Sequence, residues 1–261
     1  MPKVFMGVGH GGSDPGAVAF GMKEKDINLR ISKACRYTLE RHGVTVVCSR
    51  HKDENDPVQD EVKEANASKA DIAWSIHTNA GKGDGSESYY KPGNAQAKKL
   101  ATLCEKHTKA IGQNSRGVKT KNLMFTRETK MPSVLSECAF IDHDIDNNII
   151  DTEAELNKFG VAYAKAILEY FGITYKTEKE QKEEAEKAKS KANTIKVGSK
   201  VKIKSGAKYG GLSSTRGKSV PAAVIKETYT VRDIETHKGV KEALLKEINS
   251  WIAVSSLTFV K

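Results

Sequence analysis

A run of charged residues after Tyr175 limits how this chain can fold. Residues 176–196 carry seven Lys and five Glu among 21 positions, and Ile195 is their only large apolar residue. Such a stretch cannot bury an apolar face, so we interpret it as a solvated linker, partly helical through Glu–Lys pairs. The chain of 261 residues is therefore expected to fold as two separate domains, residues 1–175 and residues 197–261.

The first of these segments alternates between two hydrophobic periods. Short apolar runs rich in β-branched residues predict strands, and stretches with helical periodicity lie between them. The predicted strands cover 4–9, 44–49, 71–77, 86–90 and 134–138, and the predicted helices cover 24–42, 56–69, 94–111 and 152–171. Strands that alternate with helices of this length indicate an α/β fold with parallel strand pairs.

The last 65 residues have a different pattern. Apolar and polar residues alternate with period two, with Gly and Ser between the first two runs. The predicted strands cover 197–206, 229–236, 244–248 and 251–254. This pattern predicts a small all-β barrel.

Four polar residues of the first domain are expected at one edge of its sheet. His10 follows the first strand, His77 ends the third, Glu137 ends the last, and Glu24 begins the first helix. Open α/β sheets form their sites at the carboxyl ends of their strands. Two His and one carboxylate around Zn²⁺ leave a position open for water, and a second carboxylate can take the water proton. The set suits amide hydrolysis, and the pattern leaves open which Glu binds the metal.

The glycine-rich loop at residues 7–12 matches the GxGxxG pattern of dinucleotide-binding sites. That site requires a helix to begin at the turn, whereas here Ser13-Asp14-Pro15-Gly16 follows and the helix begins near Glu24. A His within the loop would also crowd a pyrophosphate. No GK[ST] sequence is present, so neither a dinucleotide nor a P-loop nucleotide site is expected.

Three blocks of the first domain carry a family resemblance. GHGGSDPGAVAFGMKEKDINL (9–29), ADIAWSIHTNAG (70–81) and PSVLSECAFIDHD (132–144) resemble the signature blocks of zinc-dependent N-acetylmuramoyl-L-alanine amidases, the amidase-3 family. The resemblance covers roughly residues 3–171. It implies a mixed, mostly parallel sheet flanked by helices and hydrolysis of the bond between N-acetylmuramic acid and L-alanine in peptidoglycan.

The resemblance also implies the roles of the four site residues. The family pattern assigns His10, Glu24 and His77 to zinc and Glu137 to catalysis. One position departs from the pattern: the family often has an Arg before its Ala-Asn pair, and this chain has Glu61 or Lys63 near that place.

Several further residues admit two interpretations. Asp14 either forms a turn with Pro15 and Gly16 or supports the site, and Asn79 contacts either substrate or its own loop. His143 lies near the site strand without an assigned role. Three other histidines, His42, His51 and His107, are expected at the surface, and Cys138 is expected near the zinc without binding it.

The excess positive charge is concentrated at the end of the chain. The net charge of the whole chain is +10, yet residues 1–175 hold 24 Lys+Arg against 23 Asp+Glu, whereas residues 197–261 hold 12 against 5. Four aromatic residues there could stack on single-stranded nucleic acid or form a small core: Tyr209, Tyr229, Trp251 and Phe259. The segment resembles SH3-like wall-binding modules of phage endolysins, so we expect the partner to be the bacterial cell wall and not nucleic acid.

The remaining features concern location. The chain start, MPKVFMGVGHGG, lacks the features of a secretory signal, and no apolar run is long enough to span a membrane. The four cysteines are scattered, which favours free thiols. With the resemblance, these features predict synthesis in a host cytoplasm, no stable membrane association, and action on the wall after release. The alternatives are a zinc peptidase of the stem peptide and a non-catalytic protein that binds wall or nucleic acid.

Overall fold

The computed structural model describes residues 1–192, 194–211 and 214–260. Positions 193, 212, 213 and 261, which fall within the predicted linker and small domain, lie outside the described residues. The chain divides into two compact units, Met1–Lys176 and Thr177–Lys261.

The first unit is an α/β domain. Its strands are β1 (Lys3–Val8), β2 (Val18–Ala19), β3 (Met22–Lys23), β4 (Thr45–Cys48), β5 (Ile72–Asn79), β6 (Ser86–Tyr90), β7 (Ser115–Thr120) and β8 (Ser133–Phe140). Its helices are α1 (Glu24–Glu40), α2 (Val58–Ser68), α3 (Ala95–Lys109), α4 (Met124–Glu128), α5 (Asp144–Asn147) and α6 (Glu153–Tyr170). The predicted α/β class is confirmed.

The central sheet has six strands in the order β4-β1-β5-β8-β6-β7. All neighbouring pairs are parallel except β6 with β8, so the sheet is mixed and mostly parallel, as expected. The parallel pairs β1–β5 and β5–β8 end at one edge, and this edge carries the candidate site.

Helices cover both faces of the sheet. Val4 and Met6 of β1 point into the larger core, where α1 and α3 each pack against α6, while Phe5 packs with Phe125 on the opposite face. Trp74 of β5 lies in the larger core and donates from Nε1 to Ser136 Oγ at 3.1 Å. Strands buried on both faces have few polar residues, which explains why their apolar runs were recognisable in the sequence.

The second unit combines a charged helix with a small antiparallel sheet. Helix α7 (Glu178–Ala192) occupies most of the charged stretch. The sheet contains β9 (Lys200–Ile203), β10 (Thr228–His237), β11 (Val240–Leu245), β12 (Ser250–Ala253) and β13 (Leu257–Phe259), with a short helix α8 (Ala222–Ile225) before β10. The strand order is β12-β11-β10-β9-β13, and every pair is antiparallel.

Some predicted boundaries were wrong. The strand predicted at 244–248 is β11, which begins earlier, because Lys238 and Gly239 have φ of 50° and 80° and form a tight hairpin after β10. β8 continues three residues beyond Glu137, so Glu137 lies within the strand and does not end it. β7 was missed because its residues are mostly polar and lie at the sheet edge without an apolar alternation.

The thiols and the length of the apolar helices complete the description of the fold. The four cysteines form no disulfide, as predicted. Within the described residues, no helix has the length and apolar character needed to span a membrane.

The contact between α1 and α6 depends on Gly160. A Cβ built at this position would lie 2.5 Å from Ala34 Cβ and 2.6 Å from the Ile31 carbonyl oxygen. Because the oxygen belongs to a helix backbone, the two helices would have to separate to accommodate a side chain.

We therefore expect Gly160→Val to lower the free energy of unfolding by about 1–3 kcal/mol, the usual cost of overpacking a core. Ala154→Val, at an exposed position of the same helix, should cost only a few tenths of a kcal/mol through helix propensity. Urea denaturation followed by tryptophan fluorescence measures both variants. Equal effects of the two changes would contradict the close packing of α1 against α6.

Candidate active site

Three strands and one helix bring the predicted site residues to one edge of the sheet. His77 on β5 lies directly opposite Glu137 on β8 in the strand register. His10 follows β1, the neighbour of β5 on its other side, and Glu24 is the first residue of α1. The parallel arrangement of β1, β5 and β8 thus places residues that are distant in sequence beside one another.

Glu24 makes contact with both imidazoles. Its Oε2 lies 3.2 Å from His10 Nε2, and its Oε1 lies 3.1 Å from His77 Nδ1. The two imidazole rings pack edge to face with their centroids 5.2 Å apart. One ligand atom from each of the three residues lies within 4.8 Å of the others, so a single ion could contact all three.

Backbone and side-chain donors hold the Glu24 carboxylate in place. Ala17 N donates to Oε2 at 2.9 Å, and Thr78 N donates to Oε1 at 3.0 Å. Asn28, one helical turn after Glu24, donates from Nδ2 to Glu24 Oε1 at 3.4 Å and also to the Gly9 carbonyl oxygen at 3.1 Å. The carboxylate is almost completely buried, so these hydrogen bonds compensate its desolvation. Asn28 and Thr78 were not recognised as supporting residues in the sequence, although the i,i+4 spacing of Asn28 from Glu24 is a usable signal.

Asp14 combines both of the functions considered for it. Its Oδ1 accepts a hydrogen bond from Gly16 N at 3.0 Å, which is the turn interaction, and its Oδ2 lies 2.8 Å from His10 Nδ1. His10 has a positive φ of 64°. A carboxylate on the ring nitrogen that faces away from the site fixes the orientation of a metal-binding imidazole.

Two glycines are required by close approaches in this loop. A Cβ on Gly9 would lie 2.2 Å from the His77 ring, and one on Gly16 would lie 2.6 Å from Glu24 Oε2. Gly16 also has a φ of +63°. The glycines of the GxGxxG-like loop and of the following turn therefore bring the backbone next to the two site residues, and the loop leads into the β2–β3 hairpin before α1 begins.

Proximity changes the acidity of all three groups. The hydrogen bond to Glu24 raises the pKa of His10 to about 9, although burial opposes this shift. Burial alone would lower the pKa of His77, yet Glu24 and nearby carboxylates raise it. Burial would raise the pKa of Glu24, but hydrogen bonds from both imidazoles hold it well below its ordinary range. Metal binding requires neutral imidazoles, so a cation would displace the protons that this cluster holds.

Glu137 stands apart from this cluster. Burial raises the pKa of its carboxyl to about 7. Its Oε2 is buried and has no hydrogen-bond partner within the described residues. A buried carboxyl group without a partner, with a pKa close to neutrality, has the properties of a general base or acid.

A pocket of about 300 Å³ opens over His10 and His77. Leu135, Phe125 and Val58 form part of its apolar wall. Glu61, one of the two residues near the place where the resemblance leads us to expect Arg, also lines this pocket and is buried, and burial beside Asp56 raises its pKa to about 7. One of the two candidate positions for the departure from the family pattern therefore lies at the site.

The donor set fits a zinc ion. Imidazole nitrogens and a carboxylate oxygen are common zinc ligands, and three protein ligands leave one position open for water or substrate. The support of His10 by Asp14 and of Glu24 by two backbone amides is the arrangement found around such ligands.

Other candidate residues have separate roles. His42 stacks on Tyr175, and His107 lies 2.7 Å from Glu169, both away from the site. His51 contacts Arg36. Asn79 donates to Glu87 of β6 at 3.0 Å, a contact that reaches past the intervening strand β8.

The thiol of Cys138 and the imidazole of His143 also lie outside the set of His10, Glu24 and His77. Cys138 is buried with its Sγ 3.4 Å from Thr78 Oγ1. His143 lies 3.8 Å from Asp84 and, with Asp146, forms a second group of residues of metal-binding type. Both Asp146 oxygens already accept hydrogen bonds, among them from Gly85 N and Phe140 N, so Asp146 has a structural role in the loop.

Comparison with known proteins identifies the same domain. A family model described as N-acetylmuramoyl-L-alanine amidase matches residues 4–169. The sporulation-specific N-acetylmuramoyl-L-alanine amidase of Bacillus subtilis (strain 168) is 36% identical over 177 residues, which are 66% of this chain and 69% of that protein. The endolysin of Bacillus phage SPP1 is 36% identical over 183 residues, 67% of this chain and 68% of that protein.

A solved structure agrees with these matches. The N-acetylmuramoyl-L-alanine amidase from Clostridium difficile 630 superposes with a TM-score of 0.63 at 30% identity, covering 66% of this chain and 97% of that one. The family match spans more than half of the chain and includes His10, Glu24, His77 and Glu137. The chain belongs to the N-acetylmuramoyl-L-alanine amidase family and is such an enzyme.

Proposed function

We propose that this enzyme is a zinc-dependent peptidoglycan hydrolase of the endolysin type, which cuts the amide bond between N-acetylmuramic acid and L-alanine. The observation that carries the proposal is the Glu24 carboxylate between two imidazoles, beside a buried Glu137 oxygen without a hydrogen-bond partner. The similarity to a phage endolysin supports the type.

His10, Glu24 and His77 would hold the zinc ion, which when bound polarises a carbonyl group and lowers the pKa of water. Glu137 lies directly across from His77 in the sheet, so its free oxygen can take a proton from water at this site. The same carboxyl group can then pass the proton to the departing L-alanine nitrogen. Burial of the Glu137 carboxyl keeps its pKa near neutrality, which suits both proton transfers.

The identity of the cleaved bond is the direct test of this proposal. We expect mass spectrometry of digested peptidoglycan to show new L-alanine amino ends and intact N-acetylmuramic acid. New amino ends within the stem peptide would instead indicate a peptidase and would overturn the proposed specificity. The absence of any new amino ends would support a non-catalytic binding protein.

Two variants separate the proposed base from the proposed metal ligands. Glu137→Gln should lower turnover by about 10²- to 10⁴-fold, the usual contribution of a general base, while zinc content measured by plasma mass spectrometry stays at the wild-type level. His77→Ala should lose both zinc and activity, whereas His51→Ala, outside the site, should lose neither. Loss of zinc in Glu137→Gln, or retention of zinc in His77→Ala, would contradict the assigned roles.

We propose that the second unit is an SH3-like module that anchors the enzyme to the anionic polymers of a Gram-positive wall. Lys200 and Lys202 of β9, and Lys204 directly after it, are exposed and alternate with the buried residues Val201 and Ile203, so the three lysines lie on the outer face of the sheet. Tyr229 is buried, Tyr209 and Phe259 pack against the small core, and Trp251 lies edge to face against His237 with the ring centroids 4.6 Å apart. All four aromatic rings thus contact residues of their own unit, which favours the wall over stacking on nucleic acid. A tethered wall-binding module raises the local substrate concentration.

The lysine row gives a test of wall binding. In a Glu137→Gln background, which prevents digestion, changing Lys200, Lys202 and Lys204 to Gln should weaken binding to purified walls roughly tenfold. Three cations at about 0.5 kcal/mol each give the 1.4 kcal/mol that a tenfold change requires. The control changes three exposed lysines of the first unit, Lys33, Lys98 and Lys109, to Gln.

A co-sedimentation assay at two salt concentrations measures both triple variants. We expect only the variant that changes Lys200, Lys202 and Lys204 to bind purified walls more weakly, and we expect its binding to depend less on salt. An equal loss in the control would assign wall binding to general charge and not to the second unit.

A further inference from the structure

A second buried carboxylate stands beside the proposed base. Glu87 of β6 is directly opposite Glu137 of β8, which is itself opposite His77 of β5. Residues opposite one another in a sheet project to the same face. The side chains of His77, Glu137 and Glu87 therefore form a row that runs across three strands, and Glu87 is only 3% exposed.

Four donors meet at Glu87. Arg116 Nε donates to Oε2 at 2.8 Å, and Lys119 Nζ donates to the same oxygen. Asn79 Nδ2 donates to Oε1 at 3.0 Å, and the Tyr89 hydroxyl donates there as well. Burial would raise the pKa of Glu87, yet these donors lower it to about 2, so the group stays ionised and fixes two cations on β7 beside the row.

The two cations exceed the charge of the one carboxylate between them. Arg116 uses only Nε for Glu87, and its Nη1 and Nη2 make no hydrogen bond to any residue that the structure describes. Its guanidinium lies over the Phe140 ring, 5.0 Å from the centroid, and 39% of its side chain is exposed. Lys119 is 36% exposed. A fixed guanidinium with both terminal nitrogens available suits the planar fork of a carboxylate.

We propose that Arg116 and Lys119 form a subsite for a free carboxylate on the second residue of the stem peptide. The inference rests on the proposed cleavage before L-alanine. The residue after L-alanine in peptidoglycan is a glutamyl residue joined through its γ-carboxyl, which leaves its α-carboxyl either free or amidated. The subsite recognises the free form.

The spacing across the sheet agrees with this assignment. Neighbouring strands are about 4.8 Å apart, so β7 lies roughly 10 Å from β8, with β6 between them. The α-carboxyl carbon of the second residue is about 6 Å from the scissile nitrogen along an extended backbone. The arginine side chain is long enough to bridge the difference between these two distances. A substrate with its scissile bond near Glu137 can therefore place this carboxylate at Arg116.

The test compares two small substrates, muramyl-L-alanyl-D-isoglutamate and its α-amide. Because both lack wall polymer, the second unit does not influence the result. We expect the wild-type enzyme to prefer the free carboxylate. Arg116→Gln should lower kcat/KM for this substrate by about 10- to 100-fold, mainly through KM. For the amide, kcat/KM should stay within about twofold of the wild-type value.

Matched variants keep the result interpretable. Arg30→Gln removes an exposed arginine that pairs with Glu153 on α6. We expect this variant to leave kcat/KM unchanged for both substrates. Lys119→Gln should shift the preference in the same direction as Arg116→Gln and serves as the second variant if Arg116→Gln does not fold. Arg116→Lys should recover part of the preference because it restores the charge without the fork.

The outcomes distinguish the subsite from the cleavage itself. Equal losses on both substrates in Arg116→Gln and Lys119→Gln would overturn the subsite. Equal kcat/KM values for the amide and the free carboxylate substrate in the wild-type enzyme would overturn the subsite as well. Product masses report separately whether the bond before L-alanine is cut, so a failure of the proposed cleavage is recognised independently of the substrate preference.

Discussion

One buried carboxylate organises the site of this enzyme. Glu24 accepts hydrogen bonds from two imidazoles that lie 67 positions apart in the sequence, and two backbone amides hold its oxygens. An ionised carboxylate in a nearly inaccessible place is costly unless every oxygen is satisfied. The turn around Asp14, the start of α1 and the end of β5 must therefore all be in place before the cluster is stable. The geometry of the three groups is consequently a property of the whole domain and not of any single loop.

The sheet also separates chemical functions by strand. β5 supplies a proposed metal ligand, β8 supplies the proposed base, and β6 with β7 supply an ion-pair cluster. Glu137 and Glu87 are neighbours with opposite shifts in pKa, one raised to about 7 and the other lowered to about 2. Burial dominates at Glu137, where no donor compensates, whereas cations dominate at Glu87. Glu137 can therefore hold a proton near neutral pH, while Glu87 on the adjacent strand stays negatively charged.

Much of the site was predictable because the required residue types follow recognisable strands. His10, Glu24 and His77 each lie at the end or the start of an element with a clear apolar pattern, and the rule for sheet edges brings them together. Glu137 was placed at the correct edge but at the wrong position in its strand, because a boundary depends on hydrogen bonding with β5 and β6 that the apolar run does not encode. Glu61, Glu87 and Arg116 were not recognised as neighbours of the site. Polar residues on an edge strand or an amphipathic helix have no periodic signal that distinguishes a buried charge from an exposed one.

By itself, the sequence determined the α/β class, the division of the chain into a nearly neutral domain and a basic one, and the residue types of the site. These follow from hydrophobic period, charge distribution and short motifs, which are local properties. Only the tertiary structure decided which side chains share an ion pair, which carboxyl oxygen lacks a partner, and that Arg116 pairs with Glu87, the residue opposite the proposed base. These are decided by strand order and register, because β6 lies between β8 and β7, antiparallel to β8 and parallel to β7, and no local pattern specifies that placement.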